Sequence, residues 1–129
     1  MIGYTMIGTN DLIKSLRFYD PLMAAMDLDQ CWRDGQSVSW GKRADETIPR
    51  FFVGYPFDGK AATAGNGGMT AFLFDNAAIV DRLHALAMQN GGSDEGAPGP
   101  RPHYGAGFYG AYVRDPDGNK LAFVCYAAG

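Results

Sequence analysis

The sequence predicts an α+β domain assembled from two tandem strand-helix-strand units. Three observations carry that prediction. Strand-like and helix-like segments alternate in the same order in both halves, and the halves match at a fixed offset that places Tyr4 on Met69 and Arg17 on Arg82. The chain also ends on a hairpin with explicit turn chemistry. At 129 residues it has the size of one domain, read as 1–129. Unit one covers about 1–58 and unit two about 67–129, with a linker between them.

Residues 2–8 (IGYTMIG) read as the first strand, and Thr9, Asn10 and Asp11 follow with capping oxygens. Leu12, Ile13, Leu16, Tyr19, Leu22, Met23 and Met26 then recur at helical spacing over about 11–25. Pro21 lacks an amide proton, so the helix is expected to stop near Asp20 and restart at Pro21. Residues 27–33 and 36–41 form a hairpin about Asp34-Gly35, and 50–55 (RFFVGY) form another strand. The next segment, PFDGKAATAGNGG, has no apolar period and reads as the connection.

Unit two begins with a strand at 68–74, capped by Asp75 or Asn76. A helix then runs to about 90 through Ile79, Val80, Leu83 and Leu86, and Gly91-Gly92 end it. Residues 93–108 (SDEGAPGPRPHYGAGF) read as a long loop shaped by glycine and proline. YGAYVRD, the turn Asp115-Pro116-Asp117-Gly118 and NKLAFVCY complete the chain as a hairpin. Two half-sheets that each cover one face with a helix leave the other face for a central groove, a natural place for a small ligand.

The charge pattern narrows the partners. Eleven basic residues stand against 14 acidic ones with no basic run, so no nucleic acid is expected. No apolar run approaches the roughly 20 residues that span a bilayer, and no basic-then-apolar leader opens the chain. No membrane partner and a cytoplasmic location are therefore expected. Cys31 and Cys125 read as two buried thiols in a reducing compartment, not a disulfide. No glycine-rich nucleotide fingerprint follows a strand, and Ser15, Ser37, Ser39 and Ser93 lack a nucleophile-elbow context. Asp115 and Asp117 are assigned to their turn.

Three stretches together, TMIGTNDLIKSLRFYD, MTAFLFDNAAIVDRLHALAMQNGG and YGAYVRDPDGNKLAFV, resemble the vicinal oxygen chelate superfamily. Its members include glyoxalase I, bleomycin-resistance proteins, fosfomycin-resistance enzymes and extradiol dioxygenases. The resemblance implies two βαβββ units whose eight strands curve around a bowl-shaped groove. It also implies a divalent metal held by the first and last strands of each unit, and a homodimer. The ligand positions that can be matched carry Tyr4, Met69 and Ala122, a phenol, a thioether and a methyl group. The fourth position lies near 50–55 and cannot be named from the sequence. No metal and no other cofactor is therefore expected.

Strand alternation gives the expected lining of the groove. With Ala122 facing inward, Lys120 and Val124 face the same way, and a hairpin pairing Arg114 with Lys120 sets Tyr112 opposite Ala122. Tyr4, Met6, Met69 and Leu73 supply the apolar remainder, and the long loop adds Arg101, His103, Tyr104, Phe108 and Tyr109. Arg101 is expected to orient an anionic or carbonyl oxygen, and His103 to exchange a proton near neutrality. His103, Arg101 and Tyr4 are the catalytic candidates. The competing reading is that these side chains merely fill the groove. Three functions stay open: a metal-independent small-molecule binder of the bleomycin-resistance type, a glyoxalase-like lyase or related enzyme acting on a small carbonyl or conjugated substrate, and a structural or regulatory homodimer without ligand.

Overall fold

The computed structural model describes residues 1–128 of the chain. The chain divides between Ala64 and Gly65 into two compact units, each with one helix and one four-stranded mixed sheet, an α+β architecture of eight strands among the described residues.

Unit one contains β1 (Tyr4–Gly8), α1 (Leu12–Ala25), β2 (Asp29–Arg33), β3 (Ser37–Gly41) and β4 (Arg50–Gly54). The sheet order is β1-β4-β3-β2, with β1 parallel to β4 and the other pairs antiparallel. Asp11 caps α1 by accepting the Lys14 N–H at 3.0 Å. Leu12, Leu16, Tyr19, Leu22 and Met23 form its buried stripe, and alternate strand residues Val38, Trp40, Phe51 and Val53 form the other half of the core. Tyr19 joins the two, its ring 5.5 Å from Phe51 and 5.9 Å from Trp40.

The helix does not break at Pro21, contrary to the sequence expectation. It runs unbroken to Ala25 because proline removes only one donor. The carbonyl deprived of that donor belongs to Arg17, on the exposed face, where water can replace it. The end of α1 is set instead by Asp27, which adopts φ 59°. Its N–H donates to the Ala24 carbonyl and the Leu28 N–H to the Met23 carbonyl, both at 3.0 Å, which is a Schellman closure. The glycine-rich segment after β4 belongs to unit one through Ala62: the Asn10 amide donates to its carbonyl at 3.1 Å and accepts its N–H at 2.7 Å.

Unit two contains β5 (Thr70–Phe74), α2 (Ala77–Gln89), β6 (Ser93–Pro100), a 3₁₀ turn (Pro102–Tyr104), β7 (Tyr109–Arg114) and β8 (Lys120–Cys125). Its order, β5-β8-β7-β6, repeats that of unit one, again with the first and last strands parallel. Asn76 caps α2 by accepting the Ile79 N–H at 3.0 Å. Val80, Leu83 and Ala87 are buried with Ala111, Val113, Leu121, Phe123 and Cys125 of the sheet. The final hairpin sets Arg114 opposite Lys120 and Tyr112 opposite Ala122. Cys125 is buried, Cys31 is half-buried, and both are free thiols.

The sequence reading of 93–108 as one loop is corrected by β6. Residues 93–100 form a strand against β7, paired through Ser93, Asp94, Gly96, Gly99 and Pro100, despite two prolines and three small residues, because the strand lies at the sheet edge. There proline needs no partner for its missing amide, and the pairing shifts between Asp94 and Gly96 and between Gly96 and Gly99 absorb the mismatch.

Candidate functional site

Alternation along β7 and β8 divides unit two into a helix side and an open side. On the open side lies a hollow of about 580 Å³. Met69, Tyr104, Phe108 and Tyr112 give it apolar and aromatic walls, and Glu95, Arg101 and Lys120 bring charge. Tyr112 is the centre of the arrangement. The Arg101 guanidinium carbon lies 5.7 Å from its ring centroid and the Lys120 Nζ 5.6 Å, both within cation–π range. Gly96 makes the close packing possible: a Cβ there would stand 2.9 Å from Tyr112 Cδ2 and 3.4 Å from Arg101 Nη2. Tyr104 and Phe108 meet edge to face at 5.3 Å.

Arg101 is bound to its own strand. Its Nη1 donates to the carbonyls of Gly99 (2.9 Å) and Pro100 (3.3 Å), and its Nη2 to that of Ala97 (2.8 Å). Glu95 is also engaged, accepting from Arg114 Nε at 2.7 Å, while Arg114 Nη1 donates to the Gly118 carbonyl at 2.8 Å.

Of the unit-two residues expected from the sequence, the hollow joins Met69, Arg101, Tyr104, Phe108 and Tyr112, and not Leu73, His103, Tyr109 or Ala122. Tyr109 points the other way: strand alternation puts it on the helix side, where its hydroxyl donates to Asp81 of α2 at 2.6 Å. That bond to a carboxylate raises the Tyr109 pKa above 10.0. His103 is exposed on the 3₁₀ turn, its ring 4.1 Å from that of Tyr104, and lies outside the lining. Ala122 is fully buried, its short side chain covered in mid-sheet, and Leu73 is exposed on β5 beyond the hollow. Tyr4 and Met6 belong to unit one. Met6 lines a separate hollow there of about 700 Å³ with Ser37, Gly54, Tyr55 and Phe57, whereas Tyr4 is exposed outside it.

Glu95 and Gly96 were not among the expected site residues, and Lys120 was placed on the groove face but not named as a ligand contact. Lys120 had a signal, since it stands two residues from Ala122 on one strand face. Glu95 and Gly96 had none, because strand alternation does not apply to a segment read as a loop. His84, in α2, has its Nε2 2.9 Å from Asp94 Oδ1 on the helix side. Asp94 Oδ1 also accepts the Gly96 N–H at 3.0 Å. Its carboxyl is held below the usual value, first by the His84 hydrogen bond and then by the Gly96 amide.

Register names the ligand position that the sequence left open. In unit two, Ala71 pairs with Ala122, and Met69 precedes Ala71 by two residues. In unit one, Met6 pairs with Phe52, and Tyr4 precedes Met6 by two residues, so Phe52 is the counterpart of Ala122. Tyr4 and Phe52 meet edge to face at 5.3 Å. A phenol, a phenyl ring, a thioether and a methyl group are not a donor set for a divalent ion, which needs imidazole, carboxylate or thiolate. These residues do not fit the metal that the resemblance implies. Among the described residues, no three His, Cys, Asp or Glu side chains are grouped to hold an ion.

No family model and no curated protein matches the sequence. Solved structures do. A lactoylglutathione lyase from Agrobacterium tumefaciens is 21% identical, with a TM-score of 0.65 over 97% of this chain and 92% of that one. A glyoxalase/bleomycin resistance protein/dioxygenase family enzyme from Burkholderia phytofirmans PsJN is 19% identical, with a TM-score of 0.72 over 96% and 97%. These two establish the fold. A glyoxalase/bleomycin resistance protein from Albidiferax ferrireducens T118 is similar at a higher level, 32% identical with a TM-score of 0.84 over 97% of this chain and 98% of that one. Repeated units, sheet order and that identity over nearly the whole of both chains agree: the protein belongs to the glyoxalase/bleomycin resistance family of the vicinal oxygen chelate superfamily.

Proposed function

We propose that the protein is a small-molecule binder of the glyoxalase/bleomycin-resistance type, which holds its ligand in the unit-two hollow by shape and aromatic contact and without a metal. One observation carries this reading: Tyr112 stands in an apolar wall with Phe108 and Met69, packed against Gly96 so that the aromatic surface is fixed before a ligand arrives. Covering such a wall removes apolar area from water at roughly 25 cal/mol per Å², enough to dominate the binding of a planar or partly apolar molecule. The donor set at Tyr4, Phe52, Met69 and Ala122 supports the metal-free part of the proposal. The family resemblance further supports a homodimer as the working form.

The test is a thermal-shift screen of metabolites and antibiotics with and without EDTA. Hits are expected to survive EDTA and to disappear in Tyr112→Ala and Phe108→Ala variants. Hits abolished by EDTA, or indifferent to both substitutions, would end this reading.

A further inference from the structure

We infer that the unit-two hollow selects an anionic ligand, and that Lys120, not Arg101, recognises the charge. The inference rests on the reading of that hollow as a ligand site and assigns its chemical preference.

The two cations that flank Tyr112 are in different states. Arg101 donates to three carbonyls of its own segment, Ala97, Gly99 and Pro100. Turning the guanidinium toward a ligand would break those bonds and release the carbonyls that it gathers. Its geometry is that of a positioning residue, which holds the end of β6 against the Tyr112 ring. Lys120 opens β8 half-buried, and its ammonium makes no ion pair or hydrogen bond with any described residue. Its contact is the face of Tyr112. An ammonium held against an aromatic wall without a counter-charge favours an anion beside it.

The surrounding charges agree. Among the described residues Glu95 is the only carboxylate in the lining, and Arg114 already neutralises it at 2.7 Å. The positive charge of Lys120 therefore has no answer within the hollow, while Met69, Phe108 and Tyr112 offer cover for an apolar body. The ligand class that matches is an organic anion, such as a carboxylate, sulfonate or phosphate ester, carried on a flat or apolar frame.

The experiment uses two probes with the same body and opposite charge, 1-naphthoate and 1-naphthylmethylammonium, titrated calorimetrically into the whole protein. The wild type is expected to prefer naphthoate by about tenfold or more, the size of a charge-assisted hydrogen bond. Lys120→Ala should erase the preference, and Lys120→Glu should reverse it. Arg101→Ala should weaken both probes alike and lower the melting temperature, the pattern of lost positioning. Persistence of the naphthoate preference in Lys120→Glu, or its loss in Arg101→Ala with near-ultraviolet dichroism unchanged, would overturn the inference. Equal binding of both probes, abolished by Phe108→Ala, would sink the charge preference and leave the ligand-site reading standing. If neither probe binds the wild type at millimolar concentration, the ligand-site reading falls as well.

Discussion

Asp115 and Asn119 clasp the ends of the last β-turn across four residues. Asp115 Oδ1 accepts the Asn119 N–H and Oδ2 accepts the Asn119 side-chain amide, both at 2.9 Å, and the same Oδ1 takes the Asp117 N–H at 2.9 Å. Both residues are buried, at 4% and 6% exposure, so losing one partner leaves polar atoms of the other away from water. Asp115→Ala is expected to destabilise the fold by about 2–4 kcal/mol. Asp117→Asn, which keeps the backbone N–H that donates to Asp115, should cost less than Asp115→Ala. Gly118 has φ +89°, where a β-branched residue is strained, so Gly118→Val should fall between the two or beyond Asp115→Ala. Urea midpoints rank the three, and equal midpoints for Gly118→Val and Asp117→Asn would refute this account of the turn.

The bond between His84 and Asp94 ties α2 to β6 and makes part of the stability depend on pH. The Asp94 carboxyl is depressed below 3.8 in the folded protein, so its contribution is complete above that value and is lost as pH falls through the folded pKa. Asp94→Asn should therefore lower the urea midpoint at neutral pH, and the gap from wild type should narrow below about pH 3.8. A gap that stays constant or widens on acidification would show that Asp94 is not the titrating contributor.

Helix α1 ends on a left-handed aspartate where glycine is the favoured residue. At φ 59°, Asp27 carries a Cβ strain that glycine lacks, and its 3.4 Å ion pair with Lys42 is exposed and worth little. Asp27→Gly is expected to raise stability by about 0.5–1 kcal/mol, read as a higher thermal or urea midpoint. A lower midpoint would mean that the Lys42 contact matters more than the backbone.

The homodimer is tested by mass. Light scattering at micromolar concentration should give about twice the 13.9 kDa of one chain. A species of single-chain mass across the accessible concentration range would dispose of it.

The fold was legible because its clearest signals are local. DPDG needs only its own backbone geometry, and once its turn is placed, the pairing of Tyr112 with Ala122 follows by counting. β6 was not legible. SDEGAPGP has neither alternation nor β-branched residues, and it is a strand only because β7 supplies partners that are distant in sequence. Everything reached through β6 was therefore hidden, including Glu95, Gly96 and the folding of Arg101 back onto its carbonyls. Pro21 misled for the opposite reason: a local rule is outweighed by the apolar stripe of α1, whose Leu22 and Met23 lie beyond the proline and are buried. Tyr109 and His103 show the limit of composition in a loop. Both are polar aromatics near the hollow in sequence, but one residue of strand alternation turns the first toward α2, and the 3₁₀ turn leaves the second in solvent.

The awkward composition of β6 also bears on how this protein behaves among its own copies. A free sheet edge normally exposes a row of amides and carbonyls onto which another chain can add a strand, the first step of aggregation. Here that border of unit two runs Ser93–Pro100, with two acids at its start, prolines at 98 and 100 that have no amide to give, and a pairing register interrupted twice. An incoming strand would find no continuous ladder to extend. The same residues that disguise β6 in the sequence keep its outer side from recruiting a neighbour.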